Sequence, residues 1–287
     1  MYLLNKILEK LNLFSQRGLS KMRKEGKLFF ISELIPYFKN SKVFMFGNGG
    51  SVANLKDVSR LKEYNLLSVH NGPVHFFRKY GFMPNLWFVH YGPTLKVVLK
   101  EEVQTPLDFS ETFILVPAND SDSSVHFSSA IVKKFLKKHP EATCVLYREI
   151  EAPMNVDTID SSYMSYGIEP IRVLGGGNVE NSFLPLCGFL GIRTLFFSGV
   201  DHMQSTGHFY DKKRMYQTIN GTTLEFPEKE MTLICASIAK KIADEKNIGC
   251  FRLEKKETIL QIYPYIDFDS ALKYATSKIT PAMVRKR

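Results

Sequence analysis

Val43-Phe44-Met45-Phe46, followed at once by Gly47-Asn48-Gly49-Gly50-Ser51, is the stretch on which the reading of this chain turns. Four consecutive apolar residues fit a strand buried on both faces, as in a parallel sheet. The apolar run is followed by a glycine-rich turn and then by a segment, Leu55–Leu61, that reads as a helix. Strand, glycine turn and helix is the arrangement by which parallel α/β domains bring backbone N–H groups up to an anionic ligand. Glycine lets the backbone come close, and a helix N-terminus adds a positive dipole. The third glycine position of G-x-G-x-x-G is occupied by Val52, and no Gly-Lys-Ser/Thr follows. The turn therefore matches neither the dinucleotide fingerprint nor a P-loop, and other residues must say what it binds.

Strand-like and helix-like segments alternate through the rest of the chain. Apolar runs at Leu66–Val69, Leu86–Val89, Phe113–Val116, Cys144–Tyr147, Thr194–Phe197 and Cys250–Leu253 read as strands. Helical spacing appears near Val74–Tyr80, Ser128–Lys138, Val179–Leu190 and Glu228–Lys246. This alternation predicts an α/β fold with a doubly wound, mostly parallel sheet. The expected organisation is a helical segment over 1–40, a nucleotide-binding domain over 41–265 and a basic tail over 266–287. Residues 201–227 are polar and weakly periodic, which suits a lid that closes over a ligand.

In such sheets ligands bind beyond the carboxyl ends of the strands. Polar, glycine-bearing turns recur where that edge is expected: Gly47–Ser51, His70-Asn71-Gly72-Pro73, His90-Tyr91-Gly92-Pro93, Gly175-Gly176-Gly177-Asn178 and Ser198-Gly199-Val200-Asp201-His202. Asn48 and Asn71 carry amides that could read a base or a ribose; a turn asparagine also serves as a helix cap or tolerates positive φ. Gly176, Gly177 and Asn178 present bare backbone at a helix start, suited to a phosphate or carboxylate. Asp201 can accept from ribose hydroxyls, hold a metal or cap the next segment of chain. His208 lies in a polar loop and titrates near neutrality, as a general base must; His90 and His202 are its rivals. Lys212, Lys213 and Arg214 can neutralise a departing phosphate. Histidines and carboxylates show no tight metal-ligand spacing.

The 287 residues suffice for one large α/β domain or a domain plus a subdomain. No apolar run reaches the length of a membrane-spanning helix. Cys144, Cys187, Cys235 and Cys250 are far apart, the pattern of buried thiols in a reducing cytosol. The net charge of +9 favours anionic partners. No zinc-finger spacing or RNA-binding aromatic run supports nucleic acid. Near the start, Leu3, Leu4, Ile7, Leu8 and Leu11 have helical spacing, interrupted by Lys6, Glu9 and Lys10. That segment suits packing on its own domain, or peripheral contact with an anionic membrane face such as the bacterial inner membrane.

The order of these turns resembles two related groups. Gly47-Asn48-Gly49-Gly50-Ser51 is similar to the Gly-x-Gly-Pro-Ser start of the bacterial sialyltransferases of glycosyltransferase family 42. It equally resembles the group uniting motility-associated flagellin glycosyltransferases with the archaeal 6-hydroxymethylpterin diphosphokinases. Ser68-Val69-His70-Asn71 resembles the sialyltransferase strand that ends in a nucleotide-contacting Asn. Phe82-Met83-Pro84-Asn85 is similar to the Pro-Asp turn of the flagellin group. Gly176-Gly177-Asn178-Val179, Leu190-Gly191 and Phe197-Ser198-Gly199-Val200-Asp201 resemble the second half of both patterns.

The resemblance implies a Rossmann-like, GT-A-like variant fold and a nucleotide-sugar glycosyltransferase. Its donor would be a CMP-linked acidic sugar and its acceptor a cell-surface glycan or glycoprotein, with no cofactor required. It implies that Gly47, Asn48, Gly49, Ser51 and Asn71 face the nucleotide, Gly176–Asn178 the sugar or phosphate, Asp201 the ribose or cytosine side, and Tyr210 the phosphate. Two departures stand out. Gly50 replaces the usual Pro, and Thr222–Pro227, where the sialyltransferases carry their catalytic His, has none. Gly207-His208 instead approximates the Gly-x-x-His of the pterin and flagellin group. The alternatives are accordingly a Mg²⁺-dependent diphosphotransferase with Asp201 near the metal, and a nucleotide-binding module without catalysis.

Overall fold

A computed structural model gives the fold. It describes residues 22–69, 72–89, 95, 98–100, 106–117, 129–147, 149–152, 171–174, 179–200, 229–255 and 263–285. Ten strands are described: β1 (Leu28–Phe30), β2 (Lys42–Phe46), β3 (Leu66–Val69), β4 (Leu86–Phe88), β5 (Phe113–Pro117), β6 (Thr143–Tyr147), β7 (Glu149–Ala152), β8 (Ile171–Leu174), β9 (Thr194–Ser198) and β10 (Gly249–Arg252). Eight of them form one sheet in the order β1-β6-β5-β4-β3-β2-β9-β10. Every neighbouring pair in it is parallel. The remaining two, β7 and β8, pair in parallel as a separate ribbon.

Among the helices that accompany the strands are α1 (Ile35–Phe38), α2 (Gly72–Tyr80), α3 (Ser129–Lys138), α4 (Val179–Leu190), α5 (Lys229–Glu245), α6 (Phe268–Tyr274) and α7 (Pro281–Arg285). They cover both faces of the main sheet. On one face, Val43, Met45, Phe88, Leu115, Val145, Leu195 and Phe197 pack against Phe38 of α1, Cys187 and Leu190 of α4, Ile238 and Ile242 of α5, and Val284 of α7. On the other, Trp87, Ile114 and Val116 meet Val74 of α2 and Phe135 of α3. Phe44, Phe46 and Phe196 meet Phe76 of α2 and Leu272 of α6. Burial on both sides explains why β2 reads as an unbroken apolar run rather than an alternating one. The sheet is thus doubly wound and parallel, as the alternation of segments predicts.

Several local expectations change. Leu55–Leu61 is not an α-helix. Two 3-10 helices stand there, Gly50–Asn54 and Val58–Glu63, separated by Asp57 in the left-handed region at φ 54°. The apolar residues Val52, Leu55, Val58 and Leu61 recur every third position and all pack in one cluster. That spacing suits three residues per turn, not 3.6. Within the segment read as helical over 1–40, Leu28–Phe30 is a strand on the edge of the sheet, paired with β6. Three residues are too few to show a period. The stretch read as a basic tail folds into α6 and α7, and Ala271, Leu272, Pro281 and Val284 are buried. The lid expected over 201–227 lies outside the described residues.

Cys144, Cys187 and Cys250 are buried free thiols, as their scatter predicts. Burial pushes the Cys144 thiol up to about 12 and that of Cys187 higher still, with neighbouring Cys250 adding to the latter. Such thiols stay protonated and behave as small apolar groups.

At the amino ends of the strands a buried amide pair ties the returning C-terminal segment to the sheet. Asn65 is 0% and Asn85 1% exposed. Asn85 Nδ2 donates to Asn65 Oδ1 and to the Ile279 carbonyl, both at 2.8 Å, and its Oδ1 accepts from the Leu66 N–H at 2.7 Å. Asn65 Nδ2 donates to Ser277 O at 3.0 Å, and its Oδ1 accepts from the Ile279 N–H at 2.9 Å. The Pro84-Asn85 turn, quoted for the family resemblance, thus serves the structural end of the sheet. Replacing Asn85 with Ala strands the Leu66 N–H and the Ile279 carbonyl. Asn85→Ala should cost about 3 kcal/mol and lower the melting temperature by roughly 6–12 °C in a circular-dichroism melt. An unchanged melt would show that water replaces the amide at no cost.

Candidate functional site

The chain lays down β2, β3, β4, β5 and β6 in one direction, then returns to place β9 and β10 on the other side of β2. The strand order therefore reverses between β2 and β9. At such a switch point the connections leave the sheet on opposite faces, and a crevice opens beyond the carboxyl ends of the two strands. The turns entering this position are Gly47–Ser51 after β2 and Gly199–Val200 after β9. The β2–β9 ladder runs from Lys42↔Thr194 to Phe46↔Ser198, so both strands end level.

The two turns interlock. The Gly47 N–H donates to Ser198 O and the Gly49 N–H to Gly199 O, both at 2.8 Å. In return the Gly199 N–H donates to Ser51 Oγ at 2.8 Å, in a buried position. A Cβ on Gly47 would lie 2.2 Å from the Gly199 carbonyl oxygen; one on Gly199 would lie 2.6 Å from both the Gly47 oxygen and Val52 Cγ2. Gly199 also holds φ at +72°, which disfavours any side chain. These two glycines permit backbone to pass against backbone. Their position at the ligand edge agrees with the sequence reading, but the N–H groups of Gly47 and Gly49 are consumed inside the protein. The segment that follows is a five-residue 3-10 helix, so this turn does not open a long α-helix as the sequence suggests.

Asn48 stands between those two anchored glycines. It is half-buried, its φ is not positive, and its amide makes no hydrogen bond among the described residues. Gly49, not Asn48, holds the cap position of the following 3-10 helix. Neither usual structural role of a turn asparagine applies to it. Ser198 is 3% exposed, and its hydroxyl finds no partner among the described residues. The sequence marks Ser198 only as part of a turn; a serine closing an apolar strand just before a glycine is the signal that picks it out. Ser51, expected to face the nucleotide, stands in the same turn, and its hydroxyl accepts from the Gly199 N–H.

On the β10 side the edge is closed by protein. The Leu253 N–H donates to Phe197 O at 2.8 Å. Asn54 Nδ2 reaches Glu254 Oε2 at 3.1 Å, joining the turn after β2 to the segment after β10. Arg252 Nε donates to Tyr263 O at 3.0 Å. Tyr80, whose hydroxyl reaches Val52 O at 3.4 Å, has its pKa raised by burial.

Asn71, Gly176, Gly177, Asn178, Asp201, His208, Tyr210 and Arg214 lie outside the described residues, as do His90 and His202. The described strands still locate some of their turns. Residues 70–71 follow β3, 90–94 follow β4, and 201 onward follows β9, all on the main sheet. Residues 175–178 do not share that origin: they follow β8, which belongs to the separate ribbon, and lead into α4. Four of the five glycine-bearing turns, not five, therefore leave strands of one sheet. β8 carries Arg172 amid three apolar residues and pairs only with β7.

No known protein family's sequence pattern matches the chain, and no curated protein matches it. Among solved structures it is similar to a point variant of the sialyltransferase Cst-II in complex with CMP, at 13% identity over 79% of this chain and 86% of that one, TM-score 0.45. It is also similar to the sialyltransferase CstII from Campylobacter jejuni in complex with the substrate analogue CMP-3FNeuAc, at 14% identity over 79% and 86%, TM-score 0.41. The same enzyme with cytidine-5'-monophosphate gives 16% identity over 79% and 85%, TM-score 0.43.

The Gly47 contact yields a stability test with an internal control. Gly81 has φ +77° but open space around it, so Gly81→Ala should cost only the left-handed backbone penalty of about 1–2 kcal/mol. Gly47→Ala must instead push β2 and β9 apart, and its melting temperature should fall well below that of Gly81→Ala. Equal melting of the two variants would mean that the turns relax freely.

Proposed function

We propose that this chain is a sialyltransferase-like glycosyltransferase, moving an acidic sugar from a CMP-linked donor to a glycan or glycoprotein acceptor. The observation that carries the reading is the meeting of Gly47–Ser51 with Ser198–Gly199 at the switch point of the sheet. Two motifs about 150 residues apart in the sequence, each quoted for the same family resemblance, share the one position where such a sheet opens a crevice. The uncommitted amide of Asn48 in that turn supports a polar ligand there. Asn71 follows the neighbouring strand β3 and would add a second amide; Asp201 follows β9 and would take the ribose or cytosine side.

In the reaction, an acceptor hydroxyl attacks the anomeric carbon of the donor sugar. The new C–O bond forms as the bond from that carbon to the phosphate oxygen breaks, and the electron pair leaves on CMP. His208 accepts the hydroxyl proton, while Tyr210 and Arg214 offset the charge on the departing phosphate. The Gly176–Asn178 turn would face the sugar or phosphate from the start of α4. No metal or cofactor is required in this scheme.

The absence of a histidine in Thr222–Pro227, together with Gly207-His208, favours a second reading: transfer of diphosphate from ATP with Mg²⁺ near Asp201. A thermal-shift panel separates the two, since a ligand that binds only the folded state raises its melting temperature. CMP at about 100 times its Kd should raise the melting temperature by roughly 5–10 °C without metal, and Asn48→Ala should reduce that shift. A panel in which only ATP with Mg²⁺ shifts the melt would replace the first reading by the second.

The base assignment has its own test. His208→Ala should lower turnover by about 10²–10⁴ and leave CMP affinity nearly unchanged, because base catalysis acts in the transition state. Wild-type activity should rise with pH through the imidazole range, where the neutral base becomes available. If His202→Ala abolishes turnover while His208→Ala does not, the proton goes to His202.

A further inference from the structure

A cationic corner lies at the amino ends of the strands on the β1–β6 edge, away from the switch-point crevice. Three pieces of chain converge on it. The Cys144 N–H at the start of β6 donates to Lys27 O at 2.9 Å, which brings residues 22–27 against that strand. Arg285 of α7 donates through Nε to Gly26 O at 2.9 Å and through its terminal nitrogen to Thr143 Oγ1. The lysine-rich end of α3 leads through His139–Ala142 into the same strand start; the Ala142 N–H donates to His139 O at 3.1 Å.

Charge at this corner is unbalanced. The carboxylate of Glu33 takes Arg23, Glu25 takes Lys27, and Glu141 faces His139 Nδ1. Lys24, Lys134, Lys137 and Arg285 are exposed and make no ion pair among the described residues, and exposed Lys138 adds another ammonium. The sequence of α3 contains no acidic residue. Both ends of the described chain also depart from here. Arg285 is followed by Lys286-Arg287, and Met22 is preceded by residues 1–21, which carry Lys6, Lys10, Arg17 and Lys21.

Exposed apolar groups accompany the cations. Met283, beside Arg285, is 52% exposed; Phe30 on β1 is 47% exposed beneath the Arg23 guanidinium, 4.5 Å from its ring centre. Exposed cations mixed with apolar side chains suit the interface of a bilayer, where ammonium groups meet acidic headgroups and apolar groups enter the acyl boundary. A nucleic acid would use the cations and leave the apolar groups in water. No helix among the described residues is long and apolar enough to cross a membrane, so this would be contact at the surface.

We propose that this corner docks the protein on an anionic membrane leaflet, with the switch-point crevice on the opposite edge of the sheet left open to the aqueous side. The proposal rests on charge and exposure and does not depend on what the crevice binds. The test is co-sedimentation of the full chain with phosphatidylcholine vesicles, with and without about one third phosphatidylglycerol. The chain should pellet only with the anionic vesicles and be released as salt is raised. The triple variant Lys24→Gln, Lys134→Gln, Lys137→Gln removes three exposed charges and should weaken binding by about 100-fold, with the circular-dichroism melt unchanged. The single variants Lys24→Gln and Lys137→Gln should each weaken it by about fivefold, which keeps the test intact if the triple variant folds poorly. Equal pelleting with neutral vesicles, no pelleting with either, or full binding by the charge variants overturns the proposal. Tighter binding to a DNA oligonucleotide than to anionic vesicles at equal charge concentration also overturns it, making the surface a nucleic-acid site.

Discussion

The contact between Gly47 and Gly199 sets the geometry of the functional edge. At this point two backbones pass with no room for a methyl group: a Cβ on Gly47 would come within 2.2 Å of the facing carbonyl oxygen. The turns after β2 and β9 therefore cannot vary independently. Three hydrogen bonds lock them further, two from the N–H groups of Gly47 and Gly49 and one into the Ser51 hydroxyl. The junction ties the two turns to each other within the protein itself, and a polar group held by such packing is one that can discriminate. Asn48 rides on this floor between two anchored residues, with its amide unspent among the described residues.

Both ends of the sheet carry buried polar groups. At the amino end, buried Asn65 and Asn85 share hydrogen bonds with each other and with the segment 276–279, so a returning loop becomes part of the fold. Thr112 joins this end by donating from Oγ1 to Pro84 O at 2.9 Å. At the carboxyl end, Asn48 and Ser198 keep side chains that no described residue satisfies. Buried polar groups cost free energy unless paired, and at the amino end the buried Ser41 hydroxyl likewise finds no partner among the described residues. In open α/β sheets ligands gather beyond the carboxyl ends. The unbalanced cations of the β1–β6 corner lie toward the amino end, where docking would not obstruct the crevice.

Much of the sheet is legible because its strands are buried on both sides. Val43–Phe46, Leu66–Val69 and Thr194–Phe197 stand out as apolar runs between polar turns, and the structure places them side by side as β2, β3 and β9, with β2 in the middle. Where local pattern is weak, the sequence misleads for identifiable reasons. Leu28–Phe30 is too short to carry a period, and it becomes a strand only because β6 offers a free edge. Ile171–Leu174 contains Arg172 and pairs only with β7, so its composition does not announce a buried strand. Between Val52 and Leu61 the three-residue spacing of apolar groups is present in the sequence, but the commoner helical period of 3.6 hides it.

By itself, the sequence determined the class of the fold and the identity of the turns that could bind a ligand. Alternating apolar runs and amphipathic stretches record which faces must be buried, and burial is a local property of each segment. Tertiary structure alone decided which turns meet. Nothing local tells Gly47 that it will lie against Gly199, because the order β3-β2-β9 is fixed by how some 150 intervening residues pack over the two faces. That order makes Gly47 a point of backbone contact with Gly199, places Asn85 at the amino end of the sheet, and leaves β8, the strand before residues 175–178, outside the main sheet. A residue's type limits the hydrogen bonds and contacts it can make, whereas its partners, brought near by the whole chain, decide which of them it makes.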